Sequence, residues 1–186
     1  MAFTESNMLD LGVQAPNFTL PDTVSDKLMR FEEIADGKKA TVVIFLCNHC
    51  PYVIFVNEEI VNISTEYQAK GVGFVGISSN DAVNYPQDGP KLMKAHAAET
   101  GYNFPYLYDE SQEVAKAYDA ACTPDFYVFD GHKKLVYRGR IDDARPGNEK
   151  KITGRDLRTV LDAVLLGEAV TEKQYPSGGC NIKWKK

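Results

Sequence analysis

The sequence has no apolar run near the roughly 20 residues that a membrane-spanning helix needs; its longest candidate, Val42–Cys47, is strand-sized. It also has no basic stripe. Lys and Arg number 21 against 26 Asp and Glu, a formal net charge of −5, and only Lys183-Trp184-Lys185-Lys186 gathers positive charge. That balance argues against nucleic-acid binding. Met1 to Asp10 carries no basic start, apolar middle or small-residue cleavage site, so no secretory signal is expected. There is no internal repeat and no low-complexity tract. Four cysteines are too few and too unevenly placed in 186 residues for a disulfide scaffold. A cytoplasmic, reducing setting is expected, where such cysteines are catalytic or metal-binding rather than structural.

What is present is the composition of a folded protein. Hydrophobic residues make up 44%, charged residues 25% and aromatics 11% of the chain, which excludes disorder and suits one domain over residues 1–186. Strand and helix signals alternate, so the expected class is α/β, a central mixed sheet flanked by helices. Phe18–Pro21 and Lys27–Phe31 read as a leading hairpin. Thr41–Leu46, a β-branched and aromatic run, reads as a strand buried on both faces. Val53, Val56, Ile60 and Ile63 fall at helical spacing after Pro51 and the helix stops near Lys70-Gly71. Val72–Ser78 is a second buried strand, Pro90–Glu99 a helix and Tyr106–Tyr108 a short strand. Ser111 is a candidate cap for a helix over Gln112–Tyr118. Phe126–Phe129 and Lys134–Arg140 flank Asp130-Gly131, a hairpin signal, and a last helix covers Asp156–Leu166. Residues 167–186 form a tail with no helical period, expected to pack on the domain.

Cys47-Asn48-His49-Cys50 stands where the first buried strand ends and the long helix begins. A thiolate there meets unpaired backbone N–H groups and the positive end of the helix dipole. Free Cys ionises near pH 8.5, whereas dithiols at helix starts fall to about 3.5–7.5. The expected pair is asymmetric: Cys47 at the exposed lip attacks, and Cys50, one turn in, resolves. His49, when protonated, stabilises the Cys47 thiolate further and makes the pair more oxidising. Tetrahedral zinc wants four ligands at short spacings, but the other cysteines, Cys122 and Cys180, are remote in sequence, as are His96 and His132. Neither a metal nor an organic cofactor is expected.

The strand-CxxC-helix unit, together with Cys122-Thr123-Pro124-Asp125-Phe126, resembles the thioredoxin superfamily. More narrowly it is similar to the redoxin-domain, peroxiredoxin-like thiol-disulfide oxidoreductases (related to alkyl hydroperoxide reductase and thiol-specific antioxidant). The stretches CNHCPYV, GISSND, FPYLYDESQ, ACTPDFYVFD and GCNIKW carry the match along most of the chain. The resemblance implies a thioredoxin-like fold and a cis peptide at Thr123–Pro124 facing the dithiol. It also implies that the Thr123 N–H and C=O pair with an extended substrate segment. Cys122 would stand beside the dithiol, and the Pro176-Ser177-Gly178-Gly179 stretch would let Cys180 bend back onto the body. Both are candidate additional redox residues.

Departures from the family patterns narrow the chemistry. Peroxiredoxins carry Pro-x-x-x-Thr/Ser-x-x-Cys at the peroxidatic site. With Cys50 in that place, Val43 stands for the Pro and Cys47 for the hydroxyl residue, and the position of the peroxidatic Arg aligns near Pro124. The donors that stabilise peroxide cleavage are thus missing. Thioredoxins keep a buried Asp six residues before the dithiol as proton acceptor; here Thr41 occupies that place, leaving water, Glu59 or another acid. The leading expectation is a thiol-disulfide oxidoreductase, reductase or isomerase. It acts on a protein or small-molecule disulfide, draws electrons from a thiol donor system, and is monomeric or weakly dimeric. The alternatives are a thiol peroxidase with an antioxidant role and a non-catalytic thioredoxin fold that binds a metal or partner.

Overall fold

The computed structural model describes residues 3–170 and 173–186. Its central sheet is built around β4 (Ala40–Phe45), all six residues of which are buried. On one side β4 runs parallel to β5 (Val72–Ser78), which is followed by β6 (Tyr106–Tyr108), also parallel. On the other it runs antiparallel to β8 (Asp125–Asp130), which pairs antiparallel with β9 (Leu135–Gly139). The order across the sheet is therefore β6-β5-β4-β8-β9. Side chains of β4 alternate between the faces. Val42 and Ile44 join Cys47 and Cys50 in one apolar core, while Val43 and Phe45 join the other.

The first core is closed by α2 (Pro51–Gln68), α3 (Pro90–Thr100) and α5 (Arg155–Leu166). Pro51 stands at the first helical position of α2, where its missing N–H costs nothing and its fixed φ suits the helix. Val53, Val56, Ile60, Ile63 and Tyr67 form the buried stripe of α2 at the three- and four-residue steps of an amphipathic helix. The second core lies under the hairpin of β2 (Thr19–Pro21) and β3 (Leu28–Arg30), α1 (Phe31–Ala35) and α4 (Glu113–Ala117). The helix α4 starts one residue later than its sequence indicates, because Gln112 takes a left-handed φ of 65° at the cap. Ser111 Oγ nonetheless accepts the Glu113 N–H at 3.3 Å.

The tail is the main departure from the sequence reading. Residues 178–181 form a strand, β10 (Gly178–Asn181), lying between β1 (Phe3–Glu5) and β7 (Cys122–Thr123), antiparallel to both. The two ends of the chain thus meet beside the loop that joins α4 to β8. Among the described residues, no helix is long and apolar enough to cross a membrane.

Candidate active site

Strand β4 ends at Phe45 and α2 begins at Pro51, so the dithiol occupies the turn between a fully buried strand and a helix N-terminus. Cys50 is the N-cap residue, and its carbonyl accepts the Val53 and Ile54 N–H groups at 3.0 Å each. Cys47 Sγ lies 3.5 Å from Thr123 Oγ1. The Sγ of Cys50 is 3.2 Å from Thr123 O and 2.8 Å from Cys180 Sγ. The Thr123–Pro124 bond is cis, and Thr123 turns both its hydroxyl and its carbonyl to the two sulfurs.

The exposed lip expected for Cys47 is absent: the residue is 1% exposed and Cys50 is fully buried. Burial reshapes the proton balance. Cys47 is held well above the ordinary thiol range by its hydrogen bond to Cys50, by burial and by the Asp88 charge. Cys50 is pulled down to about 5, first by the Cys47 hydrogen bond and then, against burial, by Cys180, Thr123 and the Val53 N–H. Cys50 Sγ is also turned to the Thr123 carbonyl, which can only accept, so in that contact the Cys50 S–H donates. The helix start acts on the cap residue itself, because dipole and free N–H groups fall off within the first turn.

His49 does not turn to the thiolate. Its Nδ1 lies 2.6 Å from Asp88 Oδ2, and the ring stacks on Tyr85 at 5.9 Å between centroids. Asp88, fully buried, also accepts the Asn48 N–H at 2.9 Å and the Asn80 side-chain amide at 2.8 Å. This is the acid near the dithiol that sequence reasoning missed. Glu59, named as a candidate proton acceptor, is instead ion-paired to Arg158 at 2.9 Å. Donor atoms of Cys47, His49 and Asp88 lie within 4.8 Å of one another, a thiol-imidazole-carboxylate set that could hold a metal. An ion there would compete with the hydrogen bonds that Asp88 already accepts.

The register of β10 on β7 pairs Cys180 with Thr123 and Asn181 with Cys122. Directly paired residues point to the same face. Cys180 therefore shares the face of Thr123, toward the dithiol, and Cys122 points away. Cys122 makes only a weak 3.9 Å contact to Ser177 O, and burial pushes its thiol up. Of the two candidate extra cysteines, the fold brings Cys180 to the site. The same register corrects the view of Thr123 as an open edge for substrate, because its pairing partner is the chain's own β10. A Cβ on Gly179 would overlap Thr123 O, so only glycine allows that approach. Next to this edge lies a groove of about 410 Å³, bordered by Phe3, Tyr52, Pro124, Arg140, Arg145 and Gly178.

The family model named Redoxin matches residues 10–157. The chain belongs to the Redoxin family. A crystal structure of an uncharacterized conserved protein from Geobacillus kaustophilus is 56% identical, with a TM-score of 0.97, covering 100% of this chain and 97% of that one. A hypothetical protein from Sinorhizobium meliloti 1021 is 47% identical, with a TM-score of 0.95 and 98% of both chains covered. A putative thiol:disulfide interchange protein DsbE from Chlorobium tepidum is 18% identical, with a TM-score of 0.66, over 85% of this chain and 99% of that one. The last likeness shows the shared thioredoxin-like fold. No curated protein matches the chain.

Proposed function

We propose that this Redoxin-family protein is a thiol-disulfide oxidoreductase whose redox couple is Cys47 and Cys50. The observation that carries the reading is geometric: the two cysteines occupy the turn between β4 and the N-terminus of α2, with the Thr123 hydroxyl 3.5 Å from one sulfur and its carbonyl 3.2 Å from the other. Cys47 gives its proton to water and attacks one sulfur of a substrate disulfide. The mixed disulfide forms and the first substrate thiolate leaves. That thiolate takes the proton of Cys50, and the Cys50 thiolate then attacks Cys47 Sγ, releasing the second substrate sulfur. Cys47 and Cys50 are oxidised to a disulfide, the substrate is reduced by two electrons, and a donor thiol resets the pair.

Thr123 supports the reaction by holding both sulfurs, its hydroxyl on Cys47 and its carbonyl on Cys50. His49 is read as a positioning residue that orients Asp88. The groove beside Pro124 is the proposed entry for a protein or small-molecule disulfide, with its arginines and aromatics contacting the substrate. The test is reduction of a protein disulfide such as insulin, or of an aromatic disulfide, with a thiol donor in excess. Turnover by the wild type that falls to background in Cys47→Ser and in Cys50→Ser supports the reading. A wild type no faster than the donor alone sinks it.

A further inference from the structure

The 2.8 Å contact between Cys50 Sγ and Cys180 Sγ has no role in a two-cysteine cycle. It is built by several independent features. The β10–β7 register turns Cys180 to the dithiol face, Gly179 permits the close approach to Thr123, and Phe3 of β1 covers Gly178 from outside. Cys180 is only 2% exposed, so it is packed into the site beside the dithiol rather than held at the surface. Disulfide sulfurs lie about 2.05 Å apart, so these two need to approach by less than about 1 Å. Burial and the hydrogen bond to Cys50 push the Cys180 thiol up to about 12, so it carries a proton to hand on.

We propose that Cys180 is a third redox thiol of this site, and that the oxidised protein partitions between a Cys47–Cys50 and a Cys50–Cys180 disulfide. Once Cys47–Cys50 has formed, Cys180 Sγ attacks Cys50 Sγ. The Cys50–Cys180 bond forms, the Cys47–Cys50 bond breaks, and the proton lost by Cys180 is taken by the departing Cys47 thiolate. No external oxidant enters this exchange, since the oxidation state is only moved. Its product pins β10 covalently to the start of α2 and returns Cys47 as a thiol while the protein remains oxidised. The strand that pairs with Thr123 thereby becomes a redox-dependent strap over that edge. The inference rests on the Cys47–Cys50 reading for its first step.

The experiment is stoichiometric oxidation of the reduced full chain with diamide, then alkylation, digestion and mass spectrometry of linked peptides. The wild type is expected to yield Cys50–Cys180 peptides beside Cys47–Cys50 peptides. Cys47→Ser is expected to form Cys50–Cys180 as its single intramolecular disulfide, with loss of two of its three remaining thiols. The wild-type measurement stands even where a variant folds poorly. A wild type yielding Cys47–Cys50 alone, with folded Cys47→Ser forming no intramolecular disulfide, overturns the third-thiol inference and leaves the dithiol function intact. Cys50–Cys180 formation in a protein that never links Cys47 to Cys50 supports the third thiol and sinks the dithiol reading instead.

Discussion

His49 and Asp88 meet at 2.6 Å beside the dithiol, a pairing that directs the imidazole to a carboxylate rather than to a sulfur. Asp88 comes from the short 3-10 turn Pro86–Asp88 between β5 and α3. Its charge is one of the influences that hold the Cys47 proton in place, after the Cys50 hydrogen bond and burial.

Asp88→Asn removes that charge while keeping an oxygen for the Asn48 N–H. The pH at which Cys47 becomes reactive is expected to fall, so its alkylation at neutral pH speeds up. The check is a pH profile of iodoacetamide labelling resolved by peptide. A loss of structure alone would speed all four cysteines together, and an unchanged Cys47 profile counts against Asp88 as a positioning residue.

The Cys47 hydrogen bond is the largest downward influence on the Cys50 thiol, and Cys47→Ala removes it. A thiol with a lowered value is ionised above it. The wild type is therefore expected to show a first ultraviolet thiolate transition near pH 5, and the variant a transition moved up toward the free-thiol value of about 8.5. Two identical curves, both near the free value, rule out that influence.

Gly179→Ala places a methyl group against Thr123 O, backbone that cannot rotate aside. Strand β10 is expected to lift from β7, exposing Cys180 to alkylation several-fold faster in the native protein. Native-state labelling at Cys180 that matches the wild type shows that the strand tolerates the added group.

Arg138 and Asp125, both fully buried, are joined at 3.1 Å just after the cis-proline. Asp125 Oδ2 also accepts Ser6 Oγ and Tyr127 OH. Arg138→Met strands the carboxylate in a site whose burial already raises its value, and a broken buried pair costs about 3–5 kcal/mol. Urea unfolding measures the loss. Replacing Asp125 by Asn as well is expected to recover part of it, and a loss under about 1 kcal/mol contradicts the pairing argument.

Peroxide chemistry supplies the last contrast. Thr123 Oγ1 lies 3.5 Å from Cys47 Sγ, and the buried guanidinium of Arg138 binds Asp125 and the Asp119 carbonyl. Hydrogen peroxide is expected to oxidise the protein at roughly the rate of a free thiolate. Stopped-flow kinetics orders of magnitude faster would move the protein to the peroxidase branch.

Local sequence was enough for elements whose pattern is their own. The β-branched run at Thr41–Leu46, the stripe from Val53 to Ile63 and the hairpin around Asp130-Gly131 each state their period within a few residues, and the dithiol lies between the first two. Three features had no such signal. Gly178–Asn181 has no alternation to read, and it becomes a strand only because β7 and β1 supply partners from distant parts of the chain. Asp88 sits in a non-periodic turn whose aim depends on how β5 and α3 pack. The depth of Cys47 is set by what covers it.

By itself, the sequence determined that two cysteines stand three residues apart in the turn that leads into a helix, since strand, turn and helix are all encoded by neighbours. Only the tertiary structure decided how deeply the pair is buried, and that Cys180 rather than Cys122 joins them. Both outcomes depend on distances between segments far apart in the chain. A shift of β10 by one residue would have turned Cys180 away from the dithiol, because neighbouring strand residues face opposite sides.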